Sequence, residues 1–214
     1  IQKQFKNTKF LAIRSSAINE DKKRFSQAGK YHTELFVNLK NKKKIINSIN
    51  KVISKNEKKN LKQNQIILQE MILKPDISGV IFSREPNTNA PYYVINYDDV
   101  SGLTDTVTSG SSEFSNKSLN VYRNKFSHLK SPRFKKLIKS VQDLERVFNT
   151  EELDIEFCIK NLNIYLLQVR PLTNLKIWNK QTDNIFLSSL TQIEKKIKIK
   201  SKKIKGVLGN KNVF

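Results

Sequence analysis

Asp154 and Glu156 stand one residue apart, and Gln168 and Arg170 repeat that spacing fourteen positions further on. The stretch Asp154-Ile-Glu-Phe-Cys-Ile-Lys-Asn-Leu-Asn-Ile-Tyr-Leu-Leu-Gln-Val-Arg170-Pro171 reads as two short strands around a turn. Side chains alternate faces along a strand, so the two carboxylates share one face and Ile155, Phe157 and Ile159 the other. On the second strand Gln168 and Arg170 share a face, against Tyr165, Leu167 and Val169. A three-residue loop at Asn161-Leu162-Asn163 sets Glu156 opposite Gln168 and Asp154 opposite Arg170. A two-residue loop would shift the register and send the polar groups to opposite faces. Oxygen ligands beside a cation on one sheet face suit Mg2+ carrying a polyphosphate. The plainer use of the pattern is a sheet face turned to water.

The elements that must hold this hairpin can be read from apolar spacing. Phe10-Leu-Ala-Ile-Arg-Ser15 is a strand ending in polar residues. Ile45, Ile46, Ile49, Val52 and Ile53 recur at helical spacing and predict an amphipathic helix from about Asn41 to Lys55. A polar break runs from Asn56 to Asn64, and Ile66 to Leu73 is a strongly apolar strand closed by Lys74-Pro75-Asp76. Ser78 to Ser83 follows as a strand expected to pair with it. Arg84 to Asn89 is a turn, Tyr92 to Tyr97 a strand, and a Gly/Ser/Thr-rich loop runs to Ser112. Phe134, Leu137, Ile138, Val141, Leu144 and Phe148 predict a helix over Pro132 to Phe148, with Ser131 as its cap and Pro132 at its start. Short strands, many of them antiparallel, with covering helices make an α+β domain: a mixed, mostly antiparallel sheet.

Composition narrows the classes. The chain of 214 residues carries a formal net charge of +21. That charge favours anionic partners in general, ATP included. A nucleic-acid module is disfavoured, because the basic residues are mostly lysine spread along the chain, whereas arginine is the better reader of bases and phosphates. No aromatic platform for stacked bases is interleaved with them either. No run of eighteen apolar residues suggests a membrane span. The single cysteine, Cys158, excludes an internal disulfide framework, fits a reducing, cytoplasmic compartment and is expected to be a small buried thiol.

Four segments in order carry a resemblance. They are Leu11-Ala-Ile-Arg14-Ser15-Ser16-Ala17 with Glu20-Asp21 and Ser26-Gln-Ala28-Gly29; Gln69-Glu70-Met71 with Ser78-Gly79-Val80-Ile-Phe82-Ser-Arg84-Glu85-Pro86; Gly102-Leu-Thr-Asp105-Thr-Val-Thr-Ser-Gly110; and Asp154-Ile-Glu156 with Leu167-Gln168-Val-Arg170-Pro171. Together they resemble the ATP-grasp nucleotide-binding domain of phosphoenolpyruvate synthase and pyruvate phosphate dikinase, over about Phe10 to Thr173. The resemblance implies MgATP as the bound nucleotide. Arg14, followed by Ser15 and Ser16, would contact its phosphates, although an ion pair with Glu20 or Asp21 is the simpler use of that guanidinium. Gln69, Glu70 and Met71 would line the adenine pocket, the backbone pairing with the base edge. Asp105 and Asp154 would complete the ATP site, Glu156 and Gln168 would hold Mg2+, and Arg170 would neutralise charge on the transferred phosphoryl group.

The resemblance further implies transfer to a histidine on another, mobile domain of the same polypeptide, and then to a small acceptor. Pyruvate is the family default. The Asn96-to-Gly102 loop and the Gly-Asn-Lys-Asn-Val-Phe ending look similar to the L-glutamine kinase branch. Residues 1–173 would then be the nucleotide-binding domain without its N-terminal part, and 174–214 a basic linker and helix leading onward. The chain also departs from the pattern. Thr104-Asp105 stands where the family carries Gly-Glu, Glu85 where Asp or Asn is common, and His32 where an acid is frequent. The lysine-bearing, glycine-rich opening segment and the phosphohistidine domain are absent from this sequence, and neither His32 nor His128 sits in a phosphocarrier context. A nucleotide-sensing or scaffolding ATP-grasp remnant without turnover is the competing function.

Overall fold

The computed structural model describes residues 1–5, 8–16, 33–56, 65–103, 117–173, 175–179 and 181–200. The chain divides into two units, Ile1–Lys176 and Ile177–Phe214. Among the described residues the first unit contains two sheets, all of whose pairings are antiparallel, each with a helix packed on it, and the α+β class expected from the sequence holds.

The smaller sheet has the order β2-β1-β3, from Phe10–Ser16 (β1), Thr33–Asn38 (β2) and Gln65–Glu70 (β3). Leu11 and Ile13 of β1 are fully buried against Ile45 and Val52 of α1 (Lys42–Asn56). Asn41 caps that helix, its Oδ1 accepting from the Lys44 amide at 2.9 Å. Since Leu11 and Ile13 face α1, alternation turns Phe10, Ala12 and Arg14 to the opposite face of the sheet.

The larger sheet has the order β6-β5-β4-β7-β8. Its strands are Ile77–Phe82 (β4), Tyr92–Asp98 (β5), Lys117–Tyr122 (β6), Leu153–Lys160 (β7) and Asn163–Pro171 (β8). One face meets α2 (Pro132–Phe148), where Phe134, Leu137, Ile138 and Val141 pack on Ile81, Ile95, Ile155 and Phe157. Ser131 caps α2 through the Phe134 amide, with Pro132 at the first turn, and Asn149 closes it in the left-handed conformation. In the second unit α3 (Gln181–Lys200) carries a Glu194–Lys198 pair at 2.9 Å on its solvent face.

Two expectations need correction, and two strands lie where the sequence suggested none. The strand at Ile66 does not pair with the one at Ser78: β3 pairs with β1, whereas β4 lies between β5 and β7. The connection through Lys74, at φ 49°, and Pro75 carries the chain from one sheet to the other. Strands β2 and β6 went unread, being short and interrupted by polar residues. Finally, the β7–β8 turn has two residues, not three: Asn161 and Leu162, both at positive φ, as the tight hairpin turn requires.

Candidate functional site

The two-residue turn pairs Lys160 with Asn163, Cys158 with Tyr165 and Phe157 with Leu166. Continued without interruption, that register would turn Gln168 and Arg170 into the α2 core. It is interrupted: Glu156 pairs with Gln168, and Asp154 with Arg170, so Leu167 is an extra residue on β8. Ile164 and Leu166 before this bulge pack on the core, and Val169 after it, instead of the Tyr165, Leu167 and Val169 expected. The polar pairs therefore meet on one face, as the sequence suggested, but through a turn and a bulge rather than through a longer loop.

That face is approached by the other sheet. Arg14 of β1 donates from one terminal nitrogen to Oε1 of Gln168 at 3.1 Å and to the Leu167 carbonyl at 3.3 Å. The same nitrogen lies 4.0 Å from Glu156. Arg170 donates to Oδ2 of Asp154 at 3.0 Å and stands 3.7 Å from Glu156. All four ionisable side chains are less than a quarter exposed, so water screens these contacts far less than it would surface pairs. Burial pushes the Asp154 carboxyl up, against the nearby Arg170 that pulls it down. Burial also raises Glu156, opposed by Arg14 and Arg170 and aided by the Asp154 charge. Among the described residues, two side-chain atoms of this cluster are buried with no hydrogen-bond partner: Nε of Arg14 and Oδ1 of Asp154.

An oxygen donor set of two carboxylates and an amide suits Mg2+, which takes one or two carboxylates and leaves other positions to phosphate and water. The unpartnered Oδ1 of Asp154 is a further oxygen at that place. Among the described residues no group of three or more His, Cys, Asp and Glu forms a closed metal cage. The set therefore fits a metal shared with a ligand rather than one held by protein alone.

The other sequence candidates fall as follows. Gln69 pairs with Ala12 and so shares the Arg14 face, with Met71 two residues on. Met71 is buried, and its sulfur accepts the amide of Phe36, which sits at φ 54° in an irregularity of β2. The Met71 amide bonds the Phe10 carbonyl at 3.1 Å. Ladder alternation then turns the Glu70 N–H and C=O to the outer edge of β3, where a base edge could pair with them. Ser15 is buried on the α1 side of β1, away from Arg14, its hydroxyl without a partner. Ser16 ends β1 opposite Gln65. The Ser16 side chain, Asp105, His32 and the Glu20-Asp21 pair lie outside the described residues. Cys158 is a fully buried free thiol, raised to about 11 by burial against the opposing pull of Lys160.

Sequence reasoning missed two features. One is the Leu167 carbonyl, whose only signal was a single residue too many between the turn and Gln168. The other is a buried cluster across the larger sheet. Arg123 forms a two-pronged pair with Glu145 at 2.7 and 2.9 Å and lies 4.5 Å from the Tyr93 ring centre. It also donates to the Ser83 carbonyl at 2.7 Å.

Among the described residues no helix is long and apolar enough to cross a membrane. A family model, pyruvate phosphate dikinase, AMP/ATP-binding domain, matches residues 1–116. That stretch holds β1 to β5 with Arg14, and the β7–β8 hairpin lies beyond it. No curated protein matches the chain.

Proposed function

The chain belongs to the family of the pyruvate phosphate dikinase AMP/ATP-binding domain, and from that premise we propose that it binds MgATP between its two sheets and donates a phosphoryl or pyrophosphoryl group, the latter leaving AMP. The observation that carries this reading is the meeting of Arg14 from β1 with Gln168 and Glu156 of the hairpin. A cation on one sheet faces oxygen ligands on the other, and a polyphosphate with its metal has both charges answered there.

In this reading Arg14 clamps phosphate oxygens through its planar fork of donors. Glu156 and Gln168 hold Mg2+, which supplies charge neutralisation on the phosphates when bound. Asp154 fixes the Arg170 guanidinium, and Arg170 faces the group being transferred. Phosphoryl transfer is mostly positioning and electrostatics, so these parts suffice for the donor half of the reaction. Gln69, Glu70 and Met71 line the adenine pocket along β3, and Asp105 and Ser16 serve the phosphates. The acceptor half lies outside this domain: a histidine on another domain of the same cytoplasmic polypeptide, then pyruvate or L-glutamine. Residues 174–214 form the basic connection towards it.

Nucleotide product analysis on the polypeptide that carries this domain tests the proposal. AMP formed only with pyruvate assigns that acceptor, and AMP formed only with L-glutamine assigns the amide. Neither AMP nor ADP formed with either acceptor overturns the transfer reading in favour of a nucleotide sensor.

A further inference from the structure

The bulge at Leu167 is not needed for the fold of the hairpin. Without Leu167, the two-residue turn would still pair Phe157 with Leu166 and then Glu156 with Gln168, in one regular ladder. Ile164, Leu166 and Val169 would still face α2, and Gln168 and Arg170 would still face the carboxylates. Leu167 is absent from the set of side chains packed on that core. The chain thus carries a residue that neither register nor core packing calls for, at a cost in local ladder hydrogen bonds.

What the extra residue does contribute is a carbonyl. The Leu167 oxygen accepts from the terminal nitrogen of Arg14 that also bonds Gln168. β8 is the edge strand, so a regular ladder turns its carbonyls alternately towards β7 and outwards. The bulge shifts that alternation at one point, and the Leu167 carbonyl there is the one that meets a guanidinium arriving from the other sheet. Among the described residues Arg14 has few other anchors, since its Nε is buried with no partner and the nearest described carboxylate stands at 4.0 Å.

We propose that Leu167 is a positioning residue for the nucleotide site: its carbonyl aims Arg14 at the place where phosphate and metal meet. The inference rests on the proposed phosphate role of Arg14 and deepens it. It predicts that Leu167 acts only through Arg14.

The test is a double-mutant cycle on ATP affinity, by calorimetric titration of MgATP into the chain, with tripolyphosphate as a base-free probe. Arg14→Ala is expected to weaken both ligands about 10- to 100-fold, the usual worth of a charge-assisted hydrogen bond. Deleting Leu167 is expected to weaken both about 10-fold while keeping circular dichroism and Tm near wild type. In the Arg14→Ala background the deletion should have no further effect. An unchanged affinity on deleting Leu167, or a loss that adds in full to that of Arg14→Ala, overturns the positioning role. An Arg14→Ala chain that binds ATP like wild type, or a wild type that binds none, instead overturns the phosphate reading and this inference with it. Where the deletion fails to fold, an ester in place of the Leu167–Gln168 peptide bond weakens the same carbonyl as an acceptor with every side chain kept. The same outcomes then apply.

Discussion

The guanidinium of Arg14 and the amide oxygen of Gln168 lie 3.1 Å apart although 154 residues separate them in the chain. This contact joins the two sheets at the candidate site, and each partner is also a candidate ligand group. Gln168 cannot offer Oε1 fully to a metal while Arg14 holds it, and phosphate is the natural replacement for Arg14 to bond. Nucleotide and metal should therefore bind cooperatively, each releasing the partner of the other. Titration of Mg2+ with and without ATP is expected to show at least about a five-fold rise in metal affinity when the nucleotide is present. Equal affinities would mean that the contact does not compete with binding.

The Arg123–Glu145 pair is structural, not part of the site. Both side chains are about a tenth exposed, and Glu145 also accepts from the Tyr93 hydroxyl at 3.4 Å. Burial pushes the Tyr93 phenol up to about 12, offset in part by the adjacent Arg123 charge. Removing one partner of such a pair strands the other, at about 3–5 kcal/mol. Arg123→Met should cost that much in urea unfolding, and Arg123→Met with Glu145→Leu should recover a large part of it. A double variant no more stable than the single would show that packing around Arg123, rather than the stranded charge, sets the cost.

Gly79 is fixed by close approach. A Cβ at this position would meet the Asn96 carbonyl oxygen at 2.1 Å and the Tyr97 Cα at 2.9 Å. Both are backbone atoms of the paired strand β5, which cannot step aside as a side chain could. Gly79→Ala is expected to lower stability by about 3 kcal/mol, at the high end for overpacking, with a lower yield of folded chain. A melting temperature within a degree of wild type would contradict this.

How far the sequence carried can be judged at particular residues. The α1 and α2 helices were legible because their apolar spacing, the Ser131 cap and Pro132 all agree. The grouping of Asp154, Glu156, Gln168 and Arg170 was legible too, since strand alternation alone sets each pair on one face. The route to it was not. Loop length and a bulge compensate each other in register, and no local residue signal separates a three-residue turn from a two-residue turn plus Leu167. Likewise Ile66 to Leu73 looked like a hairpin partner of its neighbour in sequence, because partner choice between two sheets is a long-range matter. Nothing in β3 itself names β1.

Raised carboxyls make stability depend on pH in a defined sense. Asp154 and Glu156 are both held above the usual carboxylate range, chiefly by burial. Between the unfolded and folded values, the folded chain keeps protons that the unfolded chain has released. Unfolding then releases protons, so this contribution to stability falls as pH rises through that window, and its full penalty persists above the folded values. Lowering the pH from neutral into the window should therefore stabilise the wild type relative to an Asp154→Asn/Glu156→Gln variant, in metal-free buffer. Glu85 works in the opposite direction. Burial is the largest single influence and raises its carboxyl, but the hydrogen bonds from Thr88 and Asn87 together outweigh it and hold the group low, so its share is lost as pH falls. Glu85 is common to both chains and cancels in the difference. Urea unfolding in ~0.5 steps from neutral pH down through the ordinary carboxylate range, to about pH 3.5, reads that difference directly. A gap between the two chains that stays constant, or that widens in favour of the wild type as pH rises, would mean that the two carboxyls are not held above their ordinary values in the folded chain.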